Sequence, residues 1–229
     1  MMHEYHKIDG LFKRDEATKR LMDGVYRNPS VEYLANNEWI FTEKIDGTNI
    51  RVYWDGHRVA FGGRTDKAQI PGSLMTRLEE LFGGEVNEQI FEEHFGNKEV
   101  TLYGEGYGAK IQNGGDYRPD QSFILFDVNV GGVWLSRENV EAVARYFGID
   151  VVPVILRGTM QEAIEYVKAR PMSTIGTAKM EGLVGRPALE LLTANFNRLI
   201  VKVKVRDFEE LEKQGCNGMM VEVGGDAKF

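Results

Sequence analysis

Residues 39–63, WIFTEK-IDG-TNIRVYW-DGHR-VAFGG, read as strand, turn, strand, turn, strand. The Asp46-Gly47 and Asp55-Gly56 pairs are the punctuation of antiparallel turns, since glycine reaches the positive φ angles that such turns need. Outward from there, a helical pattern runs from Ser73 to Phe95, with Leu74, Leu78, Leu81 and Phe82 at helical spacing and a break at Gly83-Gly84. Strands return at Glu99 to Tyr103 and at Phe123 to Leu135, the second folding back around Gly131-Gly132. Ser136 is placed to cap a helix reaching Tyr146, and Thr159 with Glu162 makes a capping box for a helix that ends before Pro171. From Leu199 to Phe208, Val201, Val203 and Val205 alternate with Lys202, Lys204 and Arg206, so period two puts valines on one face and cations on the other. That strand reads either as an exposed edge guarded by lysines or as the lining of a cleft that offers cations to phosphates. Together these elements give an α+β class with mostly antiparallel sheets flanked by helices.

The 229 residues carry 28 Lys and Arg against 35 Asp and Glu, a formal charge of −7. At 42% hydrophobic and 28% charged residues, with mean hydropathy −0.34, the chain is globular rather than disordered. No repeat, low-complexity tract or linker divides it, so one domain over residues 1–229 is the expectation. The single cysteine, Cys216, excludes an internal disulfide and a cysteine-rich zinc site, which makes a reducing cytoplasm the expected compartment. No run approaches the roughly 18 apolar residues that span a bilayer, and Met1 to Arg20 lacks a secretory apolar core, so no membrane partner is expected. The acidic balance argues against a protein that coats nucleic acid with its whole surface, yet a local basic groove remains compatible with it.

Five segments carry groups able to do chemistry. Glu43-Lys44-Ile45-Asp46-Gly47-Thr48-Asn49 ends a strand on a lysine at a sharp turn, where an amine can attack once deprotonated, a loss that nearby cations favour. Tyr103-Gly104-Glu105-Gly106-Tyr107-Gly108 imitates the spacing of a dinucleotide fingerprint, but the KIQNGGDYRP that follows cannot open a helix. Its glycines read instead as room for a sugar to approach the backbone, with Glu105 accepting from a ribose hydroxyl. Phe123-Ile124-Leu125-Phe126-Asp127 is a core-like strand that ends on a carboxylate, Glu181-Gly182-Leu183-Val184 sets a carboxylate beside glycine, and the fifth segment is the Lys202/Lys204 strand. His3, His6, His57 and His94 have no ligand spacing, and Trp39, Trp54 and Trp134 read as packing. Arg51, Arg58, Lys67, Lys110 and Arg186 read as solvated charges that an RNA groove could recruit.

In this order the five segments resemble the covalent nucleotidyltransferase superfamily of ATP-dependent ligases and capping enzymes, and within it the phage-type RNA ligase 2 family. Lys44, Asp46, Gly47 and Asn49 fall on that family's nucleophile motif, Lys-x-His/Asp-Gly-x-Asn. DNA ligases and capping enzymes usually place arginine where Asn49 stands, which favours the RNA ligase branch. Asp46 stands where the phage relatives often have histidine, which keeps a DNA ligase among the alternatives. The family's essential arginine, one hairpin beyond the nucleophile, matches Arg64. The likeness covers Glu43 to Lys204, and the 25 residues after Lys204 are too few for the C-terminal accessory domain such ligases use.

The resemblance implies an ATP-grasp-like nucleotidyltransferase fold and three steps. Lys44 takes AMP from ATP, the AMP passes to an RNA 5′-phosphate, and a 3′-hydroxyl displaces it. Lys202 and Lys204 would act with Lys44 on the phosphates. Glu43, Asn49, Arg64, Glu105 and Phe126 would bind the nucleotide, with Phe126 stacked on adenine, Glu105 on the ribose and Glu43 at the exocyclic edge of the base. Glu181 and Asp127 would hold Mg²⁺ or Mn²⁺. The implied partners are ATP and RNA ends, nicked or single-stranded, met by a monomer. A DNA ligase, an RNA-capping guanylyltransferase and a non-catalytic nucleotide- or RNA-binding module are the alternatives.

Overall fold

The Asp55-Gly56 turn forms as the sequence predicts. Asp55 Oδ1 accepts from the backbone N–H groups of His57 and Arg58 at 2.8 and 2.7 Å, and Gly56 takes φ +99°. The computed structural model around it describes residues 3–193 and 195–222, without the side chains of 216–222. Cys216 therefore lies outside the described side chains. In chain order the strands are β1 (Asp9–Gly10), β2 (Phe12–Arg14), β3 (Leu21–Tyr26), β4 (Trp39–Lys44), β5 (Thr48–Trp54), β6 (Val59–Gly62) and β7 (Val100–Gly108). They continue with β8 (Gln121–Val130), β9 (Val133–Trp134), β10 (Asp150–Val151), β11 (Val154–Gly158), β12 (Gly182–Pro187) and β13 (Val201–Lys204). The helices are α1 (Pro29–Tyr33), α2 (Gly72–Phe82), α3 (Gly84–Phe95), α4 (Arg137–Tyr146), α5 (Met160–Lys168) and α6 (Val205–Glu222).

The chain divides into two compact units, one of residues 1–6, 45–153 and 173–178, the other of residues 7–44, 154–172 and 179–229. The first holds a six-stranded sheet in the order β10-β8-β7-β5-β6, with β9 on β8. Every pairing in it is antiparallel except β10 with β8. Ile50, Val52, Leu102, Phe123 and Leu125 leave one face of this sheet to meet Leu74, Leu78, Phe82 and Phe91 of α2 and α3. Each such buried side chain contributes about 1.5–3 kcal/mol. Gly83 separates the two helices and Gly84 takes φ +80°, the break that the sequence predicts.

The second unit holds a five-stranded sheet, β1-β13-β12-β4-β11, and a β2-β3 hairpin. Trp39, Phe41, Leu183, Val201 and Val203 form its core with Met160, Ala163, Ile164 and Val167 of α5. That helix begins at the expected capping box, in which the Thr159 and Glu162 side chains each accept from the other's backbone N–H.

Two expectations are corrected. Asp46-Gly47 is no hairpin turn, because β4 and β5 belong to different sheets and the chain switches sheets there. Gly47 serves close approach instead: a Cβ on it would stand 2.3 Å from the Gly106 carbonyl oxygen. The strand expected from Leu199 to Phe208 covers only Val201–Lys204, and Val205 opens α6. Asp207 in its first turn suits the positive end of a helix, and Phe208 and Leu211 turn the same face to the core. Nor is that strand an edge, since β13 pairs with β1 on one side and β12 on the other.

The glycines of the Tyr103–Gly108 segment also serve packing rather than a sugar. A Cβ on Gly104 would lie 2.2 Å from Phe123 Cζ and 2.5 Å from the Ile124 carbonyl oxygen, and one on Gly106 would lie 2.4 Å from Leu74 Cδ2. Gly104→Ala is expected to cost about 1–3 kcal/mol by overpacking. Gly72→Ala, with no atom within 4 Å of the added carbon, should be neutral or stabilise by up to about 1 kcal/mol. Urea unfolding of the two variants checks the pair.

Candidate active site

In the second unit the pairing register decides which side chains share a face. Gly182 stands opposite Lys44 on one side and Lys204 on the other, and Val184 stands opposite Thr42 and Lys202. Lys44, Lys202 and Lys204 therefore occupy one face, with Val201, Val203 and Leu183 directed to the core behind it. Gly182 puts no side chain between Lys44 and Lys204. Its φ of +155° and a virtual Cβ 2.2 Å from the Val203 carbonyl oxygen leave no room for one. Next to it, Glu181 Oε2 accepts from Lys44 Nζ at 2.5 Å. Glu43 falls on the opposite face from Lys44 by strand alternation and is buried.

Lys204 is buried too, and its Nζ lies 3.2 Å from Asp207 Oδ1 across the junction of β13 and α6. Arg14 donates to both oxygens of Glu210 at 2.8 Å and reaches Asp207 at 3.4 Å. The hydrogen bond from Arg14 holds the Glu210 carboxyl below the usual range.

In the first unit the face of the sheet away from α2 and α3 carries the remaining groups. Asn49 pairs with Glu105, Arg51 with Tyr103, and Tyr103 in turn with Asp127. A register shift leaves Phe126 as an extra residue, since Tyr103 opposes Asp127 while Gly104 opposes Leu125. Alternation takes Phe126 from the face of core Leu125 to a cluster with Ile45, Tyr107 and Ile124, and the bulge interrupts alternation after Phe126 so that Asp127 shares that face instead of returning to the core. Asp127 is fully buried and accepts from the Tyr5 hydroxyl at 2.7 Å. The Tyr5 ring meets Phe126 edge-on, with ring centroids 5.1 Å apart.

Asn49 Oδ1 is buried with no hydrogen-bond partner among the described residues, an acceptor of the kind that a ligand hydroxyl or amine completes. Asp46 accepts from Asn113 Nδ2 at 3.2 Å, and its backbone N–H donates to the Tyr117 hydroxyl at 3.3 Å. Arg64 is exposed on the loop after β6 and makes no hydrogen bond or ion pair among the described residues. Tyr53, further along β5, is pushed up to about 12 by desolvation and by its hydrogen bond to Glu99, so it stays a phenol and supplies no base near neutrality.

The structure thus gathers Lys44, Glu181, Lys202 and Lys204 in one unit and Asn49, Glu105, Phe126 and Asp127 in the other, and the boundary between units passes between Lys44 and Ile45. Sequence reasoning did not single out Tyr5 or Asp207. Asp207 had a signal, a carboxylate three residues after Lys204 at a helix start, whereas nothing in the spacing of Tyr5 announces its partner 122 positions away.

The family model described as RNA ligase matches residues 37–204. Among solved structures, a variant of the Naegleria gruberi RNA ligase with AMP and Mn matches at 18% identity and TM-score 0.61, covering 81% of this chain and 54% of that one. A further variant with ATP and Mn matches at 18% identity and TM-score 0.60, covering 92% and 63%. The same ligase with PPi matches at 20% identity and TM-score 0.59, covering 81% and 55%. This chain therefore spans between half and two thirds of the length of those ligases, and at such identities the likeness is one of fold. Among curated proteins none matches. All five segments, from Glu43 to Lys204, fall inside the stretch that the family model covers, and the chain belongs to the RNA ligase family.

Proposed function

We propose that this protein is an ATP-dependent RNA ligase that works through a lysyl-AMP intermediate, its two units serving as one nucleotidyltransferase domain. The observation that supports this best is the placement of Lys44 on one sheet face with Lys202 and Lys204, its Nζ held by Glu181. In the first step Lys44 parts from Glu181, gives a proton to water and attacks the α-phosphorus of ATP. An N–P bond forms as the bond to pyrophosphate breaks. Lys202 and Lys204 neutralise charge on the phosphate, because positioning and electrostatics carry most of a phosphoryl-type transfer. Phe126 stacks on adenine, Glu105 and Asn49 take the ribose side, the backbone of the Glu43 region reads the edge of the base, and Arg64 binds phosphate. AMP then moves to an RNA 5′-phosphate, and a 3′-hydroxyl displaces it to seal the strand.

The described residues contain no cluster of three or more His, Cys, Asp or Glu able to cage a metal. That fits Mg²⁺ or Mn²⁺ held chiefly by ATP phosphates and water, with Glu181 as the protein carboxylate, and the ion would supply charge neutralisation at the α-phosphate. Asp127, with Tyr5 on it, reads as the anchor of the N-terminal segment beside Phe126. No helix among the described residues is long and apolar enough to cross a membrane. We take the protein to act as a cytoplasmic monomer on RNA ends, nicked or single-stranded.

Given ATP and Mg²⁺ or Mn²⁺, the protein should gain the mass of one AMP, and Lys44→Ala should lose that adduct while its far-ultraviolet circular dichroism stays unchanged. A GMP adduct instead would indicate a capping enzyme. Preferential sealing of nicked DNA would indicate a DNA ligase.

Lys202→Ala and Lys204→Ala should each slow adduct formation more than tenfold, about 1.4 kcal/mol in barrier. Single-turnover rates at saturating ATP read this directly, and wild-type rates in both variants would remove the lysine face from the mechanism.

A further inference from the structure

Arg51 is no solvated charge, contrary to the sequence reading, since its side chain is 0% exposed. It lies on the same sheet face as Asn49 and Glu105. Its Nε donates to the Gly63 carbonyl at 2.7 Å, and an Nη donates to Asp66 Oδ1 at 2.9 Å. Both acceptors belong to Gly63-Arg64-Thr65-Asp66, the residues after β6 that bracket Arg64. The loop is tight in its own right. Ala68 N–H donates to the Thr65 carbonyl at 3.0 Å, and a Cβ on Gly63 would stand 2.8 Å from that of Ala68. One buried guanidinium therefore grips the loop on both sides of an arginine that is itself exposed and has no hydrogen bond or ion pair among the described residues.

A buried guanidinium pays heavily in desolvation, so its place here depends on the acceptors around it, and two of these, the Gly63 carbonyl and Asp66, belong to this loop. What only arginine supplies is a planar fork of donors in fixed directions. We propose that Arg51 is a positioning residue, which fixes the Gly63–Asp66 loop so that Arg64 is presented to a nucleotide phosphate in one geometry. This rests on the reading of Arg64 as a phosphate-binding group.

The test is the rate of lysyl-AMP formation against ATP concentration for Arg64→Ala, Arg51→Lys, Arg51→Met and Asp66→Asn. The last three are measured both alone and on the Arg64→Ala background, with thermal unfolding of each. Arg64→Ala is expected to lower kcat/KM about tenfold or more, Arg51→Lys and Arg51→Met by a comparable factor, and Asp66→Asn about two- to fivefold. On the Arg64→Ala background none should cost anything further, because a residue that acts through Arg64 has nothing left to position. A purely structural role would instead lower the melting temperature and leave the losses additive. Asp66 is exposed, so its variant decides the matter if Arg51→Met does not fold. Additive losses, or wild-type rates in Asp66→Asn and Arg51→Lys beside an impaired Arg64→Ala, overturn the proposal. A wild-type rate in Arg64→Ala refutes the phosphate reading itself, and the proposal falls with it.

Discussion

Three lysines drawn from two distant strands share one sheet face because the opposite face, buried Glu43 apart, is apolar. Leu183, Val201 and Val203 go into the core with Trp39 and Phe41, and this fixes Lys44, Lys202 and Lys204 on the other side. A slip of β13 by a single residue would bring valines to the lysine face and drive two ammonium groups into that core. Desolvating unpaired charge costs far more than the slipped ladder could recover. The hydrophobic effect therefore sets the register of the lysine face, and the polar contacts refine it. Gly182 adds the one local condition, a position between two lysines where no side chain fits.

The first unit meets the opposite difficulty, because strict alternation would send neighbouring residues to opposite faces. A bulge in β8 opposite Tyr103 and Gly104 supplies an extra residue, so that Asp127 stays on the face of Phe126, away from the core beneath α2 and α3, and aligns with Tyr103. Tyr5 then packs against both, donating to Asp127 and meeting the Phe126 ring edge-on. A short N-terminal segment is in this way tied to the residue proposed to stack on adenine.

Much of this was legible in the sequence wherever chemistry is local. The capping box at Thr159, the Asp55-Gly56 turn and the break at Gly83-Gly84 depend on residues within a few positions of each other, and all formed. The ordered segments from Lys44 to Lys204 were readable as a pattern of residue types. What escaped depends on partners far away in sequence. The Asp46-Gly47 pair looks like Asp55-Gly56, yet only the pairing of β5 with β7 shows that the chain changes sheets there. Alternation correctly separated the valines from the lysines but could not show that β1 covers β13, and Val205 kept the strand pattern after helix had begun. Arg51 read as solvated because a buried arginine is recognisable only by its acceptors, 12 and 15 residues away.

The lysine face also carries its own counter-charges, and these are not equivalent. Lys44 is paired with Glu181 and Lys204 with Asp207, so both of these lysines already hold a carboxylate before any phosphate arrives. Both pairs are partly or largely buried, where salt screens them less than on an open surface. A nucleotide phosphate that takes over a lysine returns a charge-assisted bond of the same kind and leaves a carboxylate behind. Asp207 is provided for, since Arg14 stands 3.4 Å from it and is itself fixed by Glu210. Glu181 has no second cation among the described residues. The cost of the exchange therefore falls on Glu181, which is the electrostatic support for the proposal that a divalent ion is held beside Glu181 rather than beside Asp207.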